Sequence, residues 1–407
     1  MSLGHGASIV RDGLVFCYDQ GNIDKSWKGA PTTNLFTETN LNNWSKSAVV
    51  STSQYTTPFD TPSYIITDDN TGDWESINRS ITVANDSSSH TISLMVRKTF
   101  GGTSARLGFN VSYSGGTTVN MNARFNSDTG VATDGLVINY GDWWYWYFSL
   151  ANNSTGNTSL NYNFYPATGV YNGSDNSTAT GTAIVGAFML VAGSVAARFA
   201  NGTRSNAQAL LDLTKQNTIT TNLLTYASNN TFSFDGVDDR IESPAAGILN
   251  TDGPVTMTSV FKRNSGSSGT LFRMKYGNES SYSLLLGTTP IVQWWDNANV
   301  RQTVTSAATI NANQIYHLTA IINPTAADTN TVQFYLNGVF VDSFVVSGSS
   351  RRNYNDVMYI GSGLNGDNTI VQSPLNGDIY VTMLHKKALT AAEVKQNFEA
   401  IRGRYGI

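Results

Sequence analysis

The side chains in this sequence best suited to chemistry are rings and carboxylates. The densest ring cluster is Asp142-Trp143-Trp144-Tyr145-Trp146-Tyr147-Phe148. Strand side chains alternate between faces, so Trp143, Tyr145 and Tyr147 share one side, and Trp144, Trp146 and Phe148 the other. One side must be core. The other is expected either to be covered by a partner chain or another domain, or to offer a flat aromatic platform on which sugar rings stack, because large exposed apolar patches are uncommon on monomers. Trp294-Trp295-Asp296 poses the same choice: one Trp for the core, the other on the rim of a sugar site.

Two acidic clusters, Asp235, Asp238 and Asp239, and separately Asp68, Asp69, Asn70 and Asp73, gather the oxygen ligands that calcium takes. Neither follows an ordered ligand spacing, and turns also recruit Asp for backbone hydrogen bonding, so calcium and plain turn chemistry both stay open. No other cofactor is expected. Glycoside hydrolysis needs an acid and a second carboxylate flanking one bond, which an E-x-D-x-x-E run on a strand would supply. None of Glu38, Glu75, Glu242, Glu279, Glu393 and Glu399 begins such a run. There is no G-x-S-x-G elbow, H-E-x-x-H helix or phosphate loop. His5, His90, His317 and His385 are dispersed, and His317, out of phase with the apolar positions around it, reads as a solvent-side strand residue. No catalytic residue is assigned, and the chain is not expected to be an enzyme.

The elements that must position these residues are β-strands. A chain of 407 residues exceeds one ordinary core, which favours two domains. Gly 36 and only 13% charged residues suit turn-rich sheet architecture, and 11% aromatics demand burial. A net charge of -4 gives no basic footprint, so neither nucleic acid nor an anionic membrane is an expected partner. Cys17 is the single cysteine, which excludes an intrachain disulfide and suits folding in a reducing cytoplasm. The N-terminus lacks the pattern of a signal peptide, and no apolar run reaches membrane-spanning length, so the expectation is a soluble protein not exported by the usual route.

The run Phe232-Ser233-Phe234-Asp235-Gly236-Val237-Asp238-Asp239-Arg240-Ile241-Glu242 reads as two short strands joined by a tight Asp-Gly loop. It resembles the F-D-G-x-D-D-x-I element near the start of laminin-G-like domains of the concanavalin A-type lectin/glucanase superfamily. Downstream, Ile315-Tyr316-His317-Leu318 and Val332-Gln333-Phe334-Tyr335-Leu336-Asn337-Gly338 resemble a recurrent strand pair of the same family, with a type I′ turn at Asn337-Gly338. Thr390 and Glu393 form a capping box, Val394, Phe398 and Ile401 follow at helical spacing, and Gly403 is placed to end the helix. Residues Leu389 to Ile407, and Met1 to Asp19, are similar to the ends of laminin-G-like virion proteins of large contractile-tailed phages, especially those of marine cyanobacteria.

Gly13 to Trp27 resembles the opening of such phage proteins, where a D-L-S-like element and the F-D-G signature follow within a short distance. Here Leu211-Asp212-Leu213-Thr214 supplies that element nearly two hundred residues later. A domain inserted into a surface loop accounts for the gap, since loop tips tolerate insertions whose ends lie close together. Within the gap, strand candidates recur at Ile77 to Val83, Thr91 to Arg97, Ala105 to Val111, Val119 to Phe125, Trp143 to Leu150, Leu160 to Phe164 and Thr182 to Leu190. Trp44 and Lys46, Ser93 to Arg97, Trp144 and Tyr145, and Gly186 to Ser194 resemble the carbohydrate-binding-module-like jelly roll of phage tail and fibre proteins.

The expectation is therefore an all-β chain of two antiparallel jelly-roll sandwiches, one inserted in the other, with a C-terminal helix. Residues 1–32 plus 205–407 would form the laminin-G-like sandwich, and residues 33–204 the inserted module. The resemblance implies a structural component of a tailed phage virion, in the neck, collar, tail or a fibre, made in the host cytoplasm. It would act through other virion proteins, as a homo-oligomer, and through host surface glycan. The alternatives are a host-glycan-binding lectin or adhesin and a glycan depolymerase.

Overall fold

The computed structural model describes residues 8–22, 25–99, 106–169, 175–194, 198–227, 231–244, 253–264, 268–276, 279–296, 298, 300–326, 328–347, 357–364 and 371–407. Two positions singled out in the sequence, His5 and Ala105, lie outside them. The chain divides into two compact units, Met1–Pro31 with Ser205–Ile407, and Thr32–Arg204. Both are built from antiparallel sheets, and among the described residues the one long helix is Ala391–Tyr405, near the C-terminal end.

Among the described residues, the discontinuous unit packs an eight-stranded sheet against a seven-stranded one. The first runs Thr225–Tyr226, Phe232–Asp235, Asn376–His385, Val255–Arg263, Ile315–Ala326, Thr329–Leu336, Val339–Ser347, with Leu14–Asp19 also on Asn376–His385. Cys17 thus sits opposite Met383 and Tyr18 opposite Thr382, residues more than 360 positions away in the chain. The second sheet runs Thr220–Asn222, Arg240–Pro244, Val357–Gly361, Gly269–Tyr276, Glu279–Leu286, Pro290–Trp295, Arg301–Thr305. Apolar alternation on both sheets fills the core, with Phe16, Tyr18, Phe261 and Phe334 meeting Phe272, Tyr282, Trp294 and Ile360. Asp212 ties the early strand down: its Oδ1 accepts from Cys17 N at 3.0 Å and from Thr214 N at 3.0 Å.

The two strands of the F-D-G run exist but do not pair with each other. Phe232–Asp235 joins Asn376–His385 in one sheet, whereas Arg240–Pro244 joins Val357–Gly361 in the other. The loop between them is a corner that carries the chain across the sandwich. Gly236, at φ 85°, supplies the left-handed step there.

The helix Ala391–Tyr405 begins as its sequence indicates. Thr390 Oγ1 accepts from Glu393 N at 3.3 Å, and Glu393 Oε2 accepts from Thr390 N at 2.9 Å. It runs through Gly403 and ends at Gly406, which adopts the left-handed cap conformation at φ 69°. Val394 and Ile401 are buried with Ile321, Tyr335, Val260 and Val381 on the outer side of the eight-stranded sheet. That covering overturns the solvent-side reading of His317, which is 0% exposed with the Phe398 ring 5.6 Å away. Neither ring nitrogen of His317 has a hydrogen-bond partner, and burial lowers its pKa to about 4.

The unit Thr32–Arg204 opens and closes on one pairing, Thr32–Thr33 against Thr203–Arg204. Its six-stranded sheet runs Leu136–Tyr140, Trp143–Ala151, Ser89–Arg97, Gly181–Ala192, Pro62–Asp68, Val49–Thr56. The facing five-stranded sheet runs Ser45–Lys46, Ile77–Thr82, Ser159–Tyr165, Leu107–Ser114, Val119–Phe125. Phe36, Trp44, Phe109, Phe125, Trp146 and Tyr162 are among the rings packed between them.

Candidate functional site

The aromatic run Trp143–Ala151 is covered on both faces by its own unit. Trp146 and Phe148 lie in the sandwich core, Trp146 stacked on Phe125 at 5.0 Å and donating from its indole to Asp134 O at 2.9 Å. Trp143, Tyr145 and Tyr147 form a second cluster with Tyr55, Phe59, Tyr140 and Phe199. The expectation of a partner chain or an open platform over that face is therefore corrected: local segments around Phe59 and Phe199 supply the cover. Trp144 is half-buried, with the Lys98 ammonium 4.0 Å over its ring and Gly130 tight against it. Trp294 is fully buried. Asp296, 2% exposed, accepts from Ala298 N, Val300 N and Gln302 Nε2, which makes it the anchor of its own turn. Of the expected sugar-site rings, Trp144 and Trp295 are half-buried and the others are buried.

The acidic group Asp68, Asp69 and Asp73 does not converge. Asp68 is buried and its two oxygens accept from Asn70 N at 3.2 Å and Glu75 N at 3.1 Å, while Glu75 Oε2 accepts from Asp69 N at 3.0 Å. These carboxylates are spent on shaping one loop, and what that loop presents is Trp74, 38% exposed, edge-on to Tyr165 at 5.8 Å. Among the described residues, the carboxylates that do converge are Asp235, Asp238 and Asp239.

Trp74 stands at one end of the outer face of the five-stranded sheet, a surface the sequence reading did not single out. Apolar residues at alternate positions (Leu107, Phe109, Val111, Tyr113; Leu160, Tyr162, Phe164) turn inward. The intervening positions carry almost nothing but amides and hydroxyls. Register places Asn78, Asn163, Asn110 and Asn122 in one row across four strands. Ser80, Asn161, Ser112 and Asn120 form the next. Strands lie about 4.8 Å apart and same-face residues about 6.8 Å apart along a strand, so the face is a regular grid of donors and acceptors. Part of it is internally bonded: Asn110 Nδ2 donates to Asn122 Oδ1 at 2.9 Å, and Asn161 Nδ2 to Ser114 Oγ at 2.8 Å. The remaining capacity faces outward.

The third row, Tyr165, Gly108 and Arg124, adds charge. Arg124 Nε donates to Asp175 Oδ1 at 3.0 Å and Nη2 to Oδ2 at 2.5 Å, a bidentate pair that Arg106 joins from the other side. The Arg124 hydrogen bonds hold the Asp175 carboxyl below the usual carboxylate range. A Cβ at Gly108 would come within 2.8 Å of Arg124 Nη1 and of Thr168 Cγ2, so a side chain there would push the guanidinium aside. Trp74, Tyr165, Asn110, Asn122, Arg124 and Asp175 together border a cleft of about 130 Å³. The arrangement is suited to holding a neutral, hydroxyl-rich molecule; it contains no nucleophile-base pair.

Residues 234–395 match the family described as the concanavalin A-like lectin/glucanases superfamily, and this segment lies wholly in the discontinuous unit. No curated protein matches the chain. Among solved structures, the binding domain of botulinum neurotoxin serotype D is 12% identical over 48% of this chain and 49% of its own, with a TM-score of 0.38. The receptor binding domain of the botulinum neurotoxin C/D mosaic serotype is 15% identical over 48% and 49%, also at 0.38. A heptameric SAP-like pentraxin from Limulus polyphemus is 16% identical over 40% of this chain and 78% of its own, at 0.33. The chain spans about half the length of the toxin domains it is similar to.

Proposed function

We propose that the protein is a non-enzymatic carbohydrate-binding protein whose glycan lies along the amide rows of the inserted unit, with a sugar ring against Trp74 and Tyr165. The observation that carries this reading is the row Asn78, Asn163, Asn110, Asn122. Asn is depleted in strands, so four of them in register on one face run against local preference, and departures of that kind concentrate at functional surfaces. An amide offers two donors and an acceptor, matching sugar hydroxyls that do both, while an aromatic ring takes the apolar face of a pyranose. The cleft of about 130 Å³ is small, so it seats an edge of one ring and leaves the rest of the glycan over the amide grid.

A glycan array probed with the full chain tests this. The expected result is a defined set of neutral glycans that Trp74→Ala no longer binds, with Trp295→Ala as a control that still does. A blank array, or hits indifferent to Trp74, overturns the reading. Turnover of a bound polysaccharide would point instead to a depolymerase.

The setting we propose is a tailed phage particle, as a repeated virion component made in the host cytoplasm and presenting this face to host surface glycan. Two observations favour it: the likeness of both chain ends to phage virion proteins, and the edge strand Val339–Ser347, whose Val339, Phe340 and Val345 are 67%, 50% and 69% exposed. An apolar edge of that kind is surface for a neighbouring copy or another virion protein to cover. Many copies would also raise a weak single-site affinity by avidity. A map of the intact particle that holds this chain in a symmetric ring or fibre supports the setting, and its absence from purified particles refutes it.

A further inference from the structure

We propose that a basic groove of the discontinuous unit receives an acidic, leucine-containing peptide segment of a partner protein. The groove has a volume of about 990 Å³, at the upper end of the roughly 300–1,000 Å³ that ligand clefts occupy. Its walls come from residues 9–14, 25–28 and 211–217. Backbone hydrogen bonds fasten the last two to the early part of the chain: Leu211 N donates to Ser26 O at 2.9 Å, Lys28 N to Ala209 O at 2.8 Å and Leu213 N to Cys17 O at 2.7 Å. The groove therefore belongs wholly to one unit.

Arg11, Lys25, Lys28 and Lys215 bring four cations to it. The chain has a net charge of -4 and Lys215 lies nearly two hundred residues from the others, so neither composition nor any basic run announces the cluster. Arg11, Lys25 and Lys215 are exposed and form no ion pair among the described residues. The lining carboxylate, Asp212, is committed to its own loop: Oδ1 holds Cys17 N and Thr214 N, and Oδ2 accepts from Asn217 N at 3.1 Å and Asn217 Nδ2 at 2.7 Å. Asp12 and Asp19 are turned to Lys387 and Arg404. Lys215 itself stands at φ 61°, a left-handed conformation that Gly or Asn adopts more easily. The turn does not ask for a lysine, so the cation there is explained by what it faces.

Charge alone would suit any polyanion, and the floor narrows the choice. Ile9, Leu14 and Leu213 are partly buried in one apolar cluster, and Leu211 is 37% exposed. Among the described residues no aromatic ring lines the groove, so it lacks the stacking surface that sugars and nucleobases use. Aliphatic contact at the base with cations at the rim matches a peptide whose carboxylates are interspersed with leucine-like side chains. Three of the cations are lysines, point charges without the planar fork that fixes one phosphate or carboxylate, which suits several carboxylates spread along a segment.

The test is an array of decapeptides built from Glu, Leu and Ser in varied order, probed with the full chain. Fluorescence anisotropy of the best-bound peptide follows. The expected result is saturable binding that fades as NaCl rises from about 0.1 M to 1 M, where the Debye length shrinks from about 10 Å to about 3 Å. The double variant Lys25→Gln, Lys215→Gln is expected to weaken binding about fivefold with an unchanged melting temperature, since each exposed pair contributes modestly. Lys395→Gln, on the exposed side of the C-terminal helix, is the control that binds as before. Replacing every Leu of the peptide by Ser is expected to abolish binding. No saturable binding to any peptide, equal loss in Lys395→Gln, or a Ser-for-Leu peptide or heparin that binds as tightly overturns the proposal. Glycan binding by the inserted unit is judged separately, because Trp74→Ala leaves this groove intact.

Discussion

Burial sets the behaviour of individual side chains here, and His317 shows it most clearly. Its folded pKa is about 4, against about 6.5 in an unfolded chain. Between those values the unfolded chain takes up the proton and the folded one does not. Stability from this residue is therefore complete above about pH 6.5 and falls as the pH drops toward 4, by about 3 kcal/mol in all. Burial lowers His385 and His90 in the same direction, so His317→Leu is expected to flatten part of the acid slope in urea midpoints. An identical slope in that variant would contradict the assignment. The sequence could place His317 on the outward phase of its strand, because alternation is local. It could not reveal that a helix some eighty residues later covers that side. The aromatic run misled for a related reason: period-two patterning separates its faces correctly, yet the cover over Trp143, Tyr145 and Tyr147 comes from Phe59 and Phe199, residues with no distinctive spacing.

At the scale of elements, strands with strong apolar alternation were legible nearly to the residue: Val119–Phe125 was expected with those ends, and Ile77–Thr82 within one residue. Val49–Thr56, rich in Ser and Thr, and Pro62–Asp68, opening on a proline, gave no such pattern and emerged only from their pairing with one another. The Asn rows escaped notice for a different reason. Asn120-x-Asn122 and Asn161-x-Asn163 are visible in the sequence, but only register aligns them across strands. The C-terminal helix offers an element-level test. Asn397, 1% exposed, accepts from Val10 N at 2.7 Å, so it pins the N-terminal segment to the helix. Asn397→Ala leaves a buried donor unpaired and is expected to cost about 1–3 kcal/mol in chemical denaturation, while Thr390→Ala costs about 1 kcal/mol through loss of the cap. Equal and negligible losses would mean the helix is not docked as described.

For the whole molecule, the consequential pairings are the ones that span the chain. Leu14–Asp19 completes a sheet made almost entirely from residues beyond 225, and Thr32–Thr33 meets Thr203–Arg204. The likeness of the chain ends to a family pattern suggested that early and late segments belong together; composition and periodicity alone give no such long-range information. Replacing residues 32–204 with a short Gly-Ser linker is accordingly expected to yield a cooperatively melting protein that retains its Asn397-dependent stability and has lost glycan binding. Aggregation of that deletion together with a folded 1–204 fragment would refute the nested arrangement. The central claim concerns the amide face, and calorimetric titration of one array-selected glycan into the full chain tests it most directly. Asn163→Leu, which removes the middle of the row without touching the core, is predicted to weaken binding at least about tenfold, or about 1.4 kcal/mol, with the melting temperature unchanged. Unaltered affinity in Asn163→Leu, with loss in Trp295→Ala instead, would place the glycan on the other unit and contradict the account.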